Sequence, residues 1–251
     1  MDFSAIFMTC VSFFGLVLAG LLIISPPVSQ VDYIWRKPLV GSIFALICAL
    51  GSLAAVFPNA CLRGFGSVNK ESESGLIHFG FRTRGSDSVS DSGVLRGHHP
   101  TCGVFSSHVF RVGGKVFCAT CSGLFLGGLL SLVGVVAYSF GGVTLRGGVL
   151  LVGFVGLTAV SVGLLQSVLI KVPRSLVRAL SGFMLAVGAF SVLVAVDTLV
   201  QDLSLDVFVV LLTLLWLMTR VSLSRWEHDG MCSKCDLVSC VLEVDDEKMG
   251  V

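Results

Sequence analysis

Cysteine and histidine residues are concentrated between positions 98 and 121, where the sequence reads HHPTCGVFSSHVFRVGGKVFCATC. Two pairs with metal-ligand spacing, His99-x2-Cys102 and Cys118-x2-Cys121, flank a glycine pair that favours a hairpin turn. Zinc takes thiolates and neutral imidazoles in tetrahedral geometry, and ligands two residues apart hold one side of such an ion. The pattern therefore predicts a zinc knuckle, built on a short β-hairpin, over residues 98–121.

The simplest ligand set for this ion is three thiolates and one imidazole. The candidates are Cys102, Cys118 and Cys121, with one of His98, His99 or His108. An alternative uses the same thiols for redox chemistry. Cys118 and Cys121 lie at the start of an apolar segment, where the N-terminus of a helix would favour thiolate. The spacing favours the metal, because redox chemistry leaves the histidines unexplained.

A second group of potential ligands lies near the C-terminus. It consists of His228, Cys232, Cys235 and Cys240. These residues are expected either to bind an ion of their own or to approach the first site. Incidental thiols remain an alternative, because the spacing is looser than in the first group.

Composition places the chain in a membrane. Of 251 residues, 54% are hydrophobic and only 13% are charged, whereas soluble domains carry about 25% charged residues. The formal net charge of +1 gives no support to nucleic-acid binding. The partner expected from composition is therefore the lipid bilayer.

Six apolar segments are long enough to cross roughly 30 Å of hydrocarbon. The predicted fold class is an all-α membrane protein with about six transmembrane helices and the small Cys/His knuckle. The spans are residues 3–25, 39–57, 122–140, 147–170, 176–200 and 203–223. The expected organisation is a helical hairpin (1–57), a polar linker (58–97), the knuckle (98–121), a four-helix region (122–223) and a cysteine-bearing tail (224–251).

The distribution of Lys and Arg predicts the orientation. With six spans, both termini and the long loop face one side, and that side carries all but three of the seventeen basic residues. The three exceptions are Arg36, Lys37 and Arg146. The positive-inside rule then makes the termini and the knuckle cytoplasmic in a multi-pass cell-membrane protein. Thiols there stay reduced, which favours metal ligation over disulfides.

A few polar residues fall inside or beside the spans. Gln166 is expected to bridge helices, whereas Asp197 is expected to be interfacial and solvated. Asp206 and Arg220 are expected at the two interfaces, with Arg220 extending its side chain toward water. The many glycines of spans three to five predict close helix packing.

The segment CATCSGLFLGGLLSL resembles a family of small prokaryotic membrane proteins of unknown function. Cys118, Ala119, Cys121 and Gly123 match the Cys-Ala-x-Cys-Thr-Gly pattern of that family, and Ser122 stands where the family has Thr. Residues 177–188 look similar to a later helix of the family. The chain departs at HHPTC and lacks the family's Arg-Ser-Phe element. The resemblance implies a membrane protein with a ligand pair at Cys118 and Cys121, and it implies no activity.

No Ser/His/Asp set, phosphate-binding loop or paired-carboxylate site is apparent in the sequence, so an enzyme is not the favoured interpretation. The favoured function is a scaffold or interaction module with structural zinc and a possible protein partner at the cytoplasmic face. The alternatives are a membrane thiol-disulfide oxidoreductase that uses Cys118 and Cys121, and a metal transporter or sensor.

Overall fold

The computed structural model describes residues 3–27, 34–56, 109–112, 115–142, 147–169 and 175–232. Within these ranges the chain forms six helices and one two-stranded sheet. The helices are α1 (Phe3–Ile24), α2 (Arg36–Val56), α3 (Ala119–Phe140), α4 (Val149–Leu169), α5 (Ser175–Val200) and α6 (Leu203–Cys232). The strands are β1 (Val109–Val112) and β2 (Lys115–Cys118).

All six of these helices are long and apolar enough to cross a membrane. Large apolar side chains cover their outer surface, including Phe14, Val133 and Leu151, each more than half exposed. A soluble protein rarely leaves so much apolar surface open to water. The described chain is therefore an all-helical integral membrane protein apart from its hairpin, as its composition predicts.

Helix α5 lies at the centre of a layer in the order α2, α3, α5, α4. Glycines allow the helices of this layer to approach one another closely. A Cβ on Gly188 of α5 would lie 2.8 Å from the Gly156 carbonyl oxygen of α4, and one on Gly182 would lie 2.9 Å from the Thr120 carbonyl oxygen of α3. Lipid offers no hydrophobic drive between helices, so such backbone contact is how they attract one another. The predicted packing role of the glycines is confirmed.

Helices α1 and α6 pack across this layer and are joined by buried polar contacts. The Trp216 indole donates a hydrogen bond to the Ser12 carbonyl, 3.2 Å away, and the Ser12 and Thr219 hydroxyls lie 2.7 Å apart. Thr219 also reaches the Met8 carbonyl at 3.4 Å. The start of α1 and the later part of α6 are therefore at the same end of the bundle.

The two ends of the bundle differ in content. We call the end with the start of α3 and the later part of α6 the hairpin end. The opposite end, with the starts of α2 and α6 and the final turns of α3 and α5, is the distal end. Helix α6 continues to Cys232, although the apolar span ends at Ser224. The first residues of the predicted tail are thus helical, and His228 and Cys232 lie one turn apart in it.

Candidate functional site

The β-hairpin leads directly into α3 at the hairpin end. Strands β1 and β2 are antiparallel, with Val109 paired to Cys118 and Val112 paired to Lys115. This confirms the predicted strands on either side of the glycine pair. Cys118 closes β2 with extended backbone (φ −71°, ψ 122°) and is also the N-cap of α3. The sheet thereby fixes the first cysteine at the point where the helix begins.

The second cysteine lies in the first turn of the same helix. Cys121 and Cys118 are half-buried thiols that form no disulfide within the described ranges, and their side chains are within hydrogen-bonding range of each other. The Ser122 hydroxyl donates to the Cys118 carbonyl at 2.9 Å. Two thiols at a helix N-terminus can bind a soft metal ion, or they can form a disulfide. The predicted ligand pair Cys118 and Cys121 is therefore brought together.

A buried arginine lies beside this pair. Arg220 of α6 is 3% exposed, and the positive charge of its guanidinium acts on Cys121. Its Nη2 donates to the Gln166 amide oxygen at 3.3 Å and to the Ser181 hydroxyl at 3.2 Å. The expectation that the Arg220 side chain extends toward water is wrong, because two neighbouring helices supply acceptors that replace water. The expected bridging role of Gln166 is confirmed.

The structure describes only part of the predicted metal sites. Six of the proposed ligands lie outside the described residues: His98, His99, Cys102, His108, Cys235 and Cys240. His228 and Cys232 fall in the last turns of α6. Within the described ranges, no group of three or more His, Cys, Asp or Glu residues is placed to hold a metal ion. The two thiols of Cys118 and Cys121 are therefore half of a possible tetrahedral site.

The distal end contains an ion-pair cluster that the sequence interpretation missed. Arg36, the first residue of α2, is fully buried, and its Nη1 donates to Asp197 at 2.5 Å and also to Asp206. Its Nη2 approaches the Asp197 carbonyl at 3.5 Å. One guanidinium thus holds a carboxylate near the end of α5 and another near the start of α6.

Two further side chains complete this cluster around Asp197. The Tyr138 hydroxyl of α3 donates to the second Asp197 oxygen and lies 2.9 Å from the Thr198 hydroxyl. Lys37 lies 4.0 Å from that same Asp197 oxygen and 5.4 Å from the centre of the Tyr138 ring. Two cations and two carboxylates therefore balance, and four helices (α2, α3, α5 and α6) are tied together.

The expected solvated position of Asp197 is wrong, because its side chain is 2% exposed. Asp206, expected at an interface, is also fully buried. Removing a carboxylate from water costs several kcal/mol unless a partner and hydrogen bonds replace the water. Arg36 and Tyr138 supply them for Asp197. Asp206 accepts from Arg36 through one oxygen, and its other oxygen has no hydrogen-bond partner in the described ranges. One signal was available: the predicted topology already put Arg36, Lys37, Asp197 and Asp206 at the same end of the bundle.

The contacts at the distal end are better suited to holding the helices in place than to binding a ligand. Arg36 donates to both carboxylates, so a cation entering between them would face its positive charge. No observation in the described chain thus favours a metal path through Asp197. No protein family, curated protein or solved structure matches this chain. The assignment of function therefore depends on the two sites themselves.

Proposed function

We propose that this multi-pass membrane protein holds a structural zinc ion at its hairpin end. The observation that carries the proposal is the placement of the Cys118 and Cys121 thiols side by side where β2 meets α3. Thiols at this spacing grip one side of a tetrahedral ion. Cys102 and one of His98, His99 or His108 complete the proposed set. His108 directly precedes Val109, the residue that pairs with Cys118.

The surroundings of the two thiols suit a charged metal–thiolate centre. Zinc-bound cysteines are thiolates, and three of them leave the centre with a net negative charge. The positive end of the α3 dipole and the charge of Arg220 would offset part of the cost of burying that negative charge. Four protein ligands leave no open coordination position for catalysis. The ion would fix the hairpin against the bundle.

The proposed role is a scaffold or interaction module at the cytoplasmic face of the cell membrane. The bias of Lys and Arg toward this side supports the orientation. Helix α6 extends past its apolar span to Cys232 and gives the same face a surface that a protein partner can bind. His228, Cys232, Cys235 and Cys240 are proposed to hold a second ion there or to join the first. The resemblance to the prokaryotic family stays a prediction.

Metal analysis of the purified protein tests the proposal. Protein prepared without chelators should carry tightly bound zinc, and Cys118→Ser or Cys121→Ser should remove about one zinc per chain. Cys10→Ser and Cys48→Ser are matched controls, because these free cysteines lie in α1 and α2, and both should retain the zinc. Truncation after Trp226 should remove one further ion if the tail has its own site. Metal-free wild-type protein would contradict the proposal.

The contact between the two thiols favours a second candidate, a membrane thiol-disulfide oxidoreductase. Cys118 and Cys121 are close enough to hydrogen bond, and each disulfide formed would release two electrons and two protons to an oxidised substrate. Alkylation with a mass tag, before and after reduction, distinguishes the candidates. A reversible Cys118–Cys121 disulfide in zinc-free protein favours the oxidoreductase. Thiols that are protected until zinc is chelated favour the structural site.

A further inference from the structure

A groove of about 750 Å³ runs between α4 and α5 on their outer side. Its walls are almost entirely apolar, and several of the lining side chains are between 36% and 67% exposed. They include Leu151, Phe154, Val155, Val162, Leu180 and Met184. From Leu151 to Gln166, α4 rises about 22 Å, most of the roughly 30 Å of hydrocarbon in a bilayer. The groove therefore has the polarity and length to hold an acyl chain.

Thr158 lines the middle of the groove, but its hydroxyl donates to the Phe154 carbonyl of its own helix. The other polar lining residues, Gln166 and Ser181, lie toward the hairpin end. Gln166 is 4% exposed, and its oxygen accepts a hydrogen bond from Arg220. A guanidinium has donors and no acceptor, so the amide must present its oxygen to Arg220 and its NH2 group elsewhere. That NH2 group has no hydrogen-bond partner among the described residues. A buried amide with two open N–H donors thus lines the end of the groove.

Basic residues lie around this end. Arg220 donates to the Gln166 and Ser181 side chains, and the buried Arg178 directly follows Val177 of the groove wall. The sequence adds Lys171 and Arg174 between α4 and α5, and the acidic residues Glu227 and Asp229 come only after the apolar span of α6 ends at Ser224. Basic pockets between transmembrane helices recognise anionic headgroups. The ligand that fits is one whose apolar chain ends in a negatively charged, oxygen-rich group.

We propose that this groove binds one anionic phospholipid of the surrounding bilayer. An acyl chain lies along the α4 wall from Leu151 to Val162, and the phosphate and ester oxygens accept hydrogen bonds from the Gln166 amide. The positive potential of Arg220 and its basic neighbours selects an anionic headgroup. A zwitterionic lipid carries its own cation and gains less from that potential. This site uses neither zinc nor the thiols of Cys118 and Cys121, although Arg220 lies near both sites.

Competition between two lipids tests the proposal. Wild-type protein is incubated with equal amounts of phosphatidylglycerol and phosphatidylcholine of the same acyl chains, and retained lipid is counted by native mass spectrometry. We expect one retained phosphatidylglycerol, with a preference of about tenfold, equivalent to about 1.4 kcal/mol. Equal retention of the two lipids would overturn the assignment of an anionic headgroup.

Three variants locate the lipid. Val155→Trp fills the groove and should abolish retention. Val133→Trp is its matched control on α3, because Val155 is 58% exposed and Val133 is 67% exposed, and it should leave retention unchanged. Gln166→Leu removes the amide donors to the phosphate and ester oxygens that both lipids carry, so it should lower the retention of both lipids. An unchanged unfolding temperature establishes that each variant is folded. Equal retention by the two Trp variants would show that the lipid binds elsewhere and overturn the proposal.

Discussion

The hairpin end and the distal end both contain a buried arginine, but they handle its charge differently. At the hairpin end, Arg220 donates to two neutral acceptors, Gln166 and Ser181, and lies near a pair of thiols. At the distal end, Arg36 donates to two carboxylates, and Lys37 helps to balance them. The distal end is thus closed by internal ion pairing. At the hairpin end, the proposed zinc site and the proposed lipid groove both lie near the charge of Arg220.

This difference indicates a separate role for each end of the bundle. A neutralised ion cluster holds helices in fixed positions, since moving any one helix would separate charges in a low dielectric. An arginine that donates to neutral side chains can also attract a negative ligand. We therefore expect the distal end to hold the helices in place and the hairpin end to bind ligands. Variants at each end test these two expectations separately.

The largest expected effect is at the distal end. Arg36→Met leaves Asp197 and Asp206 buried without their shared donor and should lower the free energy of unfolding by about 3–5 kcal/mol. Denaturant unfolding in detergent micelles measures this loss. Lys37→Met is the control, since Lys37 is one-third exposed and only 4.0 Å from Asp197, and it should cost about 1 kcal/mol or less. Equal losses would mean that Arg36 is not the centre of the cluster.

The next effect comes from the hydroxyl that supports Asp197. Tyr138→Phe keeps the ring under Lys37 and removes the donor to the Asp197 carboxylate. Hydrogen bonds to charged groups contribute about 1.5–3 kcal/mol, so the free energy of unfolding should fall by that amount. In an Arg36→Met background, Tyr138→Phe should lower the free energy of unfolding by a different amount, because Arg36 and Tyr138 both contact Asp197. Strict additivity in this double-mutant cycle would contradict a single coupled cluster.

A steric change at the hairpin end should have an effect of similar or smaller size. A Cβ on Gly123 would overlap the Ala179 carbonyl of α5, so Gly123→Ala should cost about 1–3 kcal/mol. It should also loosen the start of α3 and lower zinc retention. Gly51→Ala is the control, because nothing lies within 4 Å of its Cβ position, and it should stabilise α2 by about 0.5–1 kcal/mol. A neutral Gly123→Ala would show that α3 and α5 can separate at no cost.

The smallest effect concerns the first turn of α6. Asp202 accepts hydrogen bonds from the backbone N–H groups of Ser204 and Leu205 at 2.9 and 3.2 Å, which is the geometry of an N-cap. Asp202→Ala should therefore cost about 1 kcal/mol in unfolding free energy. Thr158→Ala, whose exposed hydroxyl bonds only its own helix, should change stability by about 0.5 kcal/mol or less. A loss as large as that of Arg36→Met would place Asp202 in the ion cluster.

The sequence predicted those features that depend on neighbouring residues. Long apolar segments predicted the six helices, the pattern around residues 109–118 predicted the hairpin, and Cys118 and Cys121 were recognised by their spacing. The distal cluster joins residues 161 and 170 positions apart, and no local pattern records that contact. Hydropathy also treats a charged residue at a span end as solvated. Asp197, Asp206 and Arg220 are instead buried, because their partners arrive from other helices.

The proposed zinc ion is tetrahedral, with Cys118 and Cys121 among its ligands. X-ray absorption at the zinc edge counts those ligands directly, because Zn–S bonds of about 2.3 Å differ from Zn–N bonds of about 2.0–2.1 Å. Protein truncated after Trp226, which isolates the first site, should give three sulfurs and one nitrogen, and Cys118→Ser in that protein should lower the sulfur count or abolish binding. A spectrum that shows oxygen ligands alone, or one that is unchanged by Cys118→Ser, would contradict a zinc site at Cys118 and Cys121.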